Sequence, residues 1–271
     1  MHVSVRGASA EPRAGRLRVL LAALALSAGR PVSNSRLATA VWGDDPPYYP
    51  RRSLHTYVNR LRGVLGDQLI GTRPDGYALE TAPERVDVLQ FGHLLDGLDA
   101  VDDMHERRRR LDAALALWQG DPFQDLRSMW LESVVAPGLT ERWLAAIEAR
   151  VDLDLVQGRD AGLAQLWELS ALHPLRESLW SRLLVLLSRA GRPGEALAQY
   201  EIIRARLADE LGTDPASDLR AVHAGLLAGT VPWPVEPDGG QAVPAGRVHH
   251  EADRGDAAGW PAPRHRPDGV S

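Results

Sequence analysis

The sequence contains neither cysteine nor lysine, so all 31 of its basic residues are arginine. The absence of cysteine excludes disulfides and zinc sites built on thiolates. The absence of lysine excludes a complete Walker A phosphate loop, a Schiff-base lysine and a lysine that acts as a general base. A chain without disulfides is compatible with a reducing compartment, and we expect it to be cytoplasmic.

Motifs of catalysis and of cofactor binding are missing as well. The 9 histidines are scattered, and no H-E-x-x-H, G-x-S-x-G or glycine-rich phosphate loop occurs. His249 and His250 are adjacent, but no further ligands stand at a fixed spacing from them, as a metal ion would require. We therefore expect no enzyme, no cofactor and no metal site.

An apolar run from Val19 to Leu26 lies within "RAGRLRVLLAALALSAGR" and is too short to span a bilayer. Preceding arginines and following small residues are typical of a secretory signal, whereas the run fits a buried helix equally well. We expect no membrane association.

Charge is distributed unevenly along the chain. Residues 1–80 hold 11 arginines and 6 acidic residues, a net charge of +5, and the rest holds 20 arginines and 30 acidic residues, a net charge of -10. A basic N-terminal part before an acidic body indicates that the first part meets a polyanion, although chance can produce the same pattern.

The N-terminal part predicts a short strand, three helices and a hairpin. "HVSVRG" alternates like a strand, whereas "GASAEPRAG" is poor strand material. We expect helix one over Arg16–Ala28, a shorter helix capped by Ser33, and a third helix that starts at Pro50 and ends at Gly66. "QLIGTRPDGYALE" predicts a β-hairpin with its turn at Pro74–Gly76. Three helices followed by a hairpin make a winged helix-turn-helix.

The remainder predicts an all-helical region and a tail. "VDVLQFGHLLDGL" and "HERRRRLDAALALW" are amphipathic, and a longer helix is expected over about Gly138–Gln157. "LWSRLLVLLSRAGRPGEALAQYEIIRARL" has tetratricopeptide spacing, and "QGR" and "AGR" stand 33 residues apart, which indicates an earlier degenerate repeat. The proline- and glycine-rich residues 231–271 predict a disordered tail. The fold class is therefore mainly α, with a winged helix-turn-helix over 1–80 and an all-α tetratricopeptide-like domain over 84–230.

The third helix separates an apolar stripe from a polar face. At 100° per residue, one side carries Leu54, Val58, Leu61 and Leu65. The opposite side carries Arg52, Thr56, Asn59 and Arg60, with Arg62 beside the stripe.

A solvated surface is the ordinary meaning of such a polar face. No acidic residue occurs between Arg51 and Gly66, however, so these arginines lack partners within the helix. Arginine, asparagine and threonine are also residue types that recognise base edges in the major groove. A basic residue on the hairpin, Arg73, is suited to a phosphate or the minor groove. The pattern therefore predicts DNA binding.

Specific stretches in both halves of the chain resemble a known protein family. "GRPVSNSRLATAVWGDDPP", "LHTYVNRLRGVLG" and "TRPDGYALE" are similar to the N-terminal domain of the Streptomyces antibiotic regulatory protein (SARP) family, which is itself similar to the OmpR-type winged helix. "VDVLQFGHLL", "ALALWQGDPF", "LHPLRESLWSRLL" and "LRAVHAGLLAG" resemble its bacterial transcriptional activation domain. One difference is that the family usually opens with a several-stranded sheet, of which little is left here.

The resemblance implies a transcriptional activator of a secondary-metabolite cluster. Such proteins bind direct repeats in promoter DNA side by side, with self-association on the DNA, and recruit RNA polymerase holoenzyme. Base reading would fall to Thr56 and Arg60. Base-flanking or phosphate contacts would fall to Arg52, Asn59, Arg62 and the wing residue Arg73. The alternative is a tetratricopeptide-type scaffold whose winged helix contacts protein.

Overall fold

The computed structural model describes residues 3–5, 7–231 and 233, so the predicted tail falls almost entirely outside the described residues. The helices are α1 (Gly15–Ala25), α2 (Asn34–Trp42), α3 (Pro50–Leu65), α4 (Asp87–Leu95), α5 (Met104–Ala116), α6 (Ala136–Val156), α7 (Leu163–Leu172), α8 (Glu177–Arg189), α9 (Pro193–Leu211) and α10 (Ser217–Ala228). The strands are β1 (Ser4–Val5), β2 (Ala8–Ser9), β3 (Val32–Ser33), β4 (Ile70–Arg73) and β5 (Gly76–Leu79). The prediction of a mainly α fold is confirmed.

The chain divides into two compact units. The described part of the first, the N-terminal unit, comprises residues up to 96 together with 116–143, and the second, the helical unit, comprises 97–115 and the described residues from 144 onward. This division by packing differs from the predicted domain bounds of 1–80 for the winged helix-turn-helix and 84–230 for the all-α domain. The difference arises because residues 116–143 group with the N-terminal unit. Along the described residues, no helix has the length and apolar character needed to cross a bilayer.

Helix α1 supplies much of the core of the N-terminal unit. Its residues from Val19 to Leu24 are all buried, as the buried-helix interpretation requires. The predicted end at Ala28 was wrong, because α1 stops at Ala25 and a tight turn follows. That turn lets the Gly29 N–H donate to the carbonyl of Leu79 (2.9 Å), which ties the end of α1 to β5.

Two small antiparallel sheets accompany the helices. Strand β5 lies between β4 and β3, and β3 was not predicted because two residues carry no alternation. Gly76 is required at the crossing, since a Cβ there would overlap the carbonyl of Val32. The expectation that the stretch after "HVSVRG" is poor strand material was wrong. Ala8 pairs with Val5 across a turn in which Gly7 has a φ of +83°, a conformation that glycine adopts at little cost.

Residues 123–135, here called the support segment, complete the core of the N-terminal unit. Leu126, Trp130 and Leu131 are buried in the same cluster as α1, α2 and α3. The buried Ser128 hydroxyl donates to the carbonyl of Ala40 in α2 (2.8 Å). The last five residues of the segment form a π-helical turn that continues into α6. The support segment therefore packs on the same core cluster as Val3 and Val5 of the short N-terminal sheet region, and it adds buried leucine side chains to that cluster.

The helical unit contains the predicted helix–turn–helix repeat. Helices α8 and α9 pack together, and Leu183, Leu187, Ala196 and Tyr200 are all buried. Gly191 turns the chain between them with a φ of +74°, and Gly158, 33 residues earlier, turns it between α6 and α7 with a φ of +67°. The tetratricopeptide-like prediction is confirmed, and α6 lies within two residues of its predicted bounds.

Candidate nucleic-acid interface

Helix α3 is anchored by the stripe predicted from its sequence. Pro50 occupies its first turn, where a missing N–H costs nothing, and Gly66 ends it with a φ of +100°. Its buried residues are Leu54, Val58, Leu61 and Leu65. Three of these are fully buried and the last is 4% exposed, so the helix has only one rotational position about its axis that satisfies the core.

The opposite face of α3 is exposed and basic. Arg52, Thr56 and Arg60 are all exposed, and among the described residues neither arginine has a carboxylate within ion-pair distance. The Thr56 hydroxyl donates to the carbonyl of Arg52 (3.0 Å), which leaves its oxygen able to accept a hydrogen bond. We call these three residues the outer row of α3.

Arg51, one position earlier, differs from the outer row. Its guanidinium contacts the Asp75 carboxylate in the hairpin turn (3.2 Å), although both side chains are largely exposed. The carbonyl of Asp75 accepts the N–H of Asn34 at the start of α2 (2.8 Å). The hairpin turn therefore lies close to the first turns of both helices.

Arg62 connects α3 to the hairpin. Its Nε and Nη2 donate to the carbonyl of Ile70 in β4 (3.0 and 2.6 Å), and Nη2 also donates to the Thr72 hydroxyl (2.9 Å). Its Nη1 lies 3.5 Å from Oδ1 of Asn59. Most of the hydrogen-bonding capacity of this guanidinium is therefore used inside the protein.

Asn59 belongs to a second polar row. Its Nδ2 lies 3.1 Å from Nε2 of His55, and its Oδ1 faces Arg62. His55 is exposed and is not among the predicted site residues. Its spacing of four residues from Asn59 was the available signal, because residues four apart are neighbours on a helix.

Arg73, at the end of β4, points back along the hairpin. Its Nη2 lies 2.5 Å from Oε1 of Glu80, and its Nη1 donates to the carbonyl of Thr72 (3.1 Å). Both side chains of the ion pair are a little under two-fifths exposed. The predicted wing arginine is thus near the predicted surface but is engaged with a carboxylate.

Within the part of the chain that the structure describes, no group of three or more histidine, aspartate or glutamate side chains is arranged to hold a metal ion. The candidate surface instead carries arginines and amide or hydroxyl groups, residue types that are able to bind anions and base edges.

Comparison with protein families matches both parts of the chain. The model described as "Transcriptional regulatory protein, C terminal" matches residues 14–79, and the model described as "Bacterial transcriptional activator domain" matches residues 86–227. Regulatory protein DnrI of Streptomyces peucetius is 33% identical over 236 residues, which are 82% of this chain and 87% of DnrI. The chain belongs to the Streptomyces antibiotic regulatory protein family.

Other SARP-like relatives are longer than this chain. Regulatory protein AfsR of Streptomyces griseus is 36% identical over 214 residues, which are 78% of this chain but 22% of AfsR. A solved structure, Mycobacterium tuberculosis EmbR in complex with low affinity phosphopeptide, matches with a TM-score of 0.74 and 30% identity. That match covers 84% of this chain and 63% of the EmbR chain. Membership of the SARP family favours a transcriptional regulator over the scaffold alternative.

Proposed function

We propose that this chain is a sequence-specific DNA-binding activator of transcription that places α3 in the major groove. The observation that carries the proposal is the outer row of α3. Two exposed arginines without a carboxylate partner among the described residues flank a threonine on the second helix of a helix-turn-helix. A desolvated phosphate or a guanine edge is the partner that such a row fits best.

Within this proposal, Thr56 and Arg60 read base edges. Arginine can bind guanine O6 and N7 with both arms, and threonine offers a methyl group and a hydroxyl. Arg52 and Asn59 flank this pair and contact bases or the backbone. Arg73 is the wing residue for a phosphate or the minor groove.

Arg62 takes a positioning role in the proposal rather than the phosphate role that the sequence suggested. Its hydrogen bonds to Ile70 and Thr72 fix the distance between α3 and the wing. A wing held at a fixed distance can reach the backbone while α3 occupies the groove.

The partners follow from the family. We propose that copies of the chain bind direct repeats in promoter DNA and associate there side by side. The bound copies would recruit RNA polymerase holoenzyme and so activate a secondary-metabolite gene cluster. The protein would act in the cytoplasm. The winged helix of residues 1–80 would bind DNA and residues 84–230 would carry activation. No enzymatic reaction forms part of the proposal. A single recognition helix reads few base pairs, so repeated sites would supply the missing specificity.

Changing Arg60 to alanine is expected to weaken binding to the target promoter by about 1–3 kcal/mol, because a bidentate base contact is lost. Electrophoretic or anisotropy titration on promoter fragments recovered by genome-wide DNA immunoprecipitation with the intact protein gives the measurement. Arg206→Ala is the matched control, since Arg206 is a partly exposed arginine of α9 that faces Glu210 and lies outside the proposed interface. Equal retention of Arg60→Ala and Arg206→Ala on every fragment would show that α3 does not read DNA.

Changing Arg62 to alanine is expected to weaken binding to all sequences alike while leaving the salt dependence unchanged, since its guanidinium is used on the wing. A direct phosphate contact would instead reduce the slope of log Kd against log salt concentration by about 0.9. Titrations over a range of salt concentrations separate the two roles, and a flattened slope for Arg62→Ala would show that Arg62 contacts a DNA phosphate.

A further inference from the structure

The ion pair of Arg73 and Glu80 holds the wing arginine in a folded-back position. The two contacts of the guanidinium, to the carboxylate at 2.5 Å and to the carbonyl of Thr72, turn it away from the tip of the hairpin. The backbone of Glu80 is fixed in register, because its N–H donates to the carbonyl of Leu69 (2.8 Å). The carboxylate is therefore presented to Arg73 by the hairpin itself.

Gly71 provides the space in which this ion pair lies. A Cβ at position 71 would overlap Oε1 of Glu80 and come within 2.6 Å of Nη1 of Arg73. The φ of Gly71 is not positive, so its backbone conformation does not require glycine. Across the hairpin it faces Ala78, another small residue. The absence of a side chain at Gly71 thus serves the ion pair and not a turn.

A carboxylate and a DNA phosphate bind an arginine through the same donors, so they compete for it. We propose that Glu80 acts as an internal competitor of DNA phosphate at the wing and so limits the affinity of the chain for DNA. This inference rests on the proposed function. It divides the interface into two classes: the arginines of the outer row of α3 are available at once, while Arg73 must exchange a carboxylate for a phosphate.

The test compares Glu80→Gln with Glu84→Gln in the full chain. Glu84 is exposed, lies four residues further on and has no ion-pair partner among the described residues, so its replacement removes the same charge without releasing Arg73. The probe is a short DNA duplex of random sequence at low salt, where exposed charges are least screened. Glu80→Gln is expected to bind roughly two- to fivefold more tightly than Glu84→Gln, the range of an exposed ion pair.

A double-mutant cycle assigns the gain to Arg73. In an Arg73→Gln background, Glu80→Gln is expected to give no gain beyond that of Glu84→Gln. A gain that persists in that background would arise from general charge and would overturn the inference. Gly71→Ala provides an independent route, because it displaces the ion pair without changing the net charge, and it too is expected to tighten binding.

The outcomes also separate this inference from the proposed function. If the wild-type chain binds the duplex and Glu80→Gln matches Glu84→Gln, the competition is refuted while DNA binding stands. If neither the wild-type chain nor any variant binds DNA, the proposed function fails first.

Discussion

Replacing Leu131 with alanine should lower the free energy of unfolding of the N-terminal unit by about 2–5 kcal/mol, the cost of a cavity at a fully buried leucine. Leu131 is 0% exposed and lies in the core cluster with residues of α1, α2 and α3. It belongs to the support segment, which precedes α6 and is far in sequence from the helices that it contacts. The loss should therefore reach α3 and the proposed interface.

Val134→Ala is the matched control for this change. Val134 lies in the same π-helical turn but is 41% exposed, and its truncation should change stability by no more than about 0.5 kcal/mol. Urea denaturation followed by intrinsic fluorescence measures the unfolding transition, and DNA binding along the same titration identifies the transition of the N-terminal unit. Equal stability of the two variants would mean that the support segment is not part of the core.

The sequence was a good guide wherever structure depends on local spacing. The stripe of α3, its start at Pro50 and its end at Gly66 all follow from residue types and spacings within that helix and its two ends. The hairpin followed from its Pro-Asp-Gly turn. The exposed position of Thr56 and Arg60 followed in the same way, because the apolar stripe fixes the rotation of the helix.

The packing of the support segment could not be predicted, because its apolar residues contact helices that are far away in the sequence. Leu126 and Trp130 stand four residues apart, but so short an apolar pattern does not identify what it packs against, and Phe123 takes a φ of +61°, which is uncommon for a residue with a side chain. The π-helical turn adds a residue per turn and shifts the apolar positions out of the usual spacing.

The contacts of the interface arginines could not be predicted from the sequence either. Residue type indicated that Arg62 and Arg73 could bind anions, but their contacts depend on the register of β4 and β5. One residue of slippage in a hairpin moves each side chain to the other face. Only the folded hairpin brings the Ile70 carbonyl to Arg62 and the Glu80 carboxylate to Arg73.

The second large effect on stability is expected from replacing Asp154, whose carboxylate is buried in the helical unit. Its side chain is 4% exposed and accepts hydrogen bonds from Arg108 of α5 and Arg150 of α6, while Nε of Arg159 lies 3.5 Å away. Burial alone would raise the pKa of Asp154, but the hydrogen bonds from Arg108 and Arg150 outweigh it, and the pKa is lowered. A carboxylate whose pKa is lowered by folding stabilises the folded state above its unfolded pKa of about 3.9.

Asp154→Asn should therefore destabilise the helical unit by about 3–5 kcal/mol at neutral pH, because two partly buried guanidinium groups lose the negatively charged partner that they share. The deficit should shrink as the pH falls from about 4 toward the lower pKa of the folded carboxylate, because the unfolded wild-type chain takes up a proton first and the folded one only at that lower pH. Asp112→Asn is the matched control: Asp112 contacts the same Arg150 but is 51% exposed, and its loss should cost no more than about 1 kcal/mol. Thermal unfolding of both variants across pH measures the difference, and a deficit for Asp154→Asn that is constant with pH would show that its ionisation does not stabilise the fold.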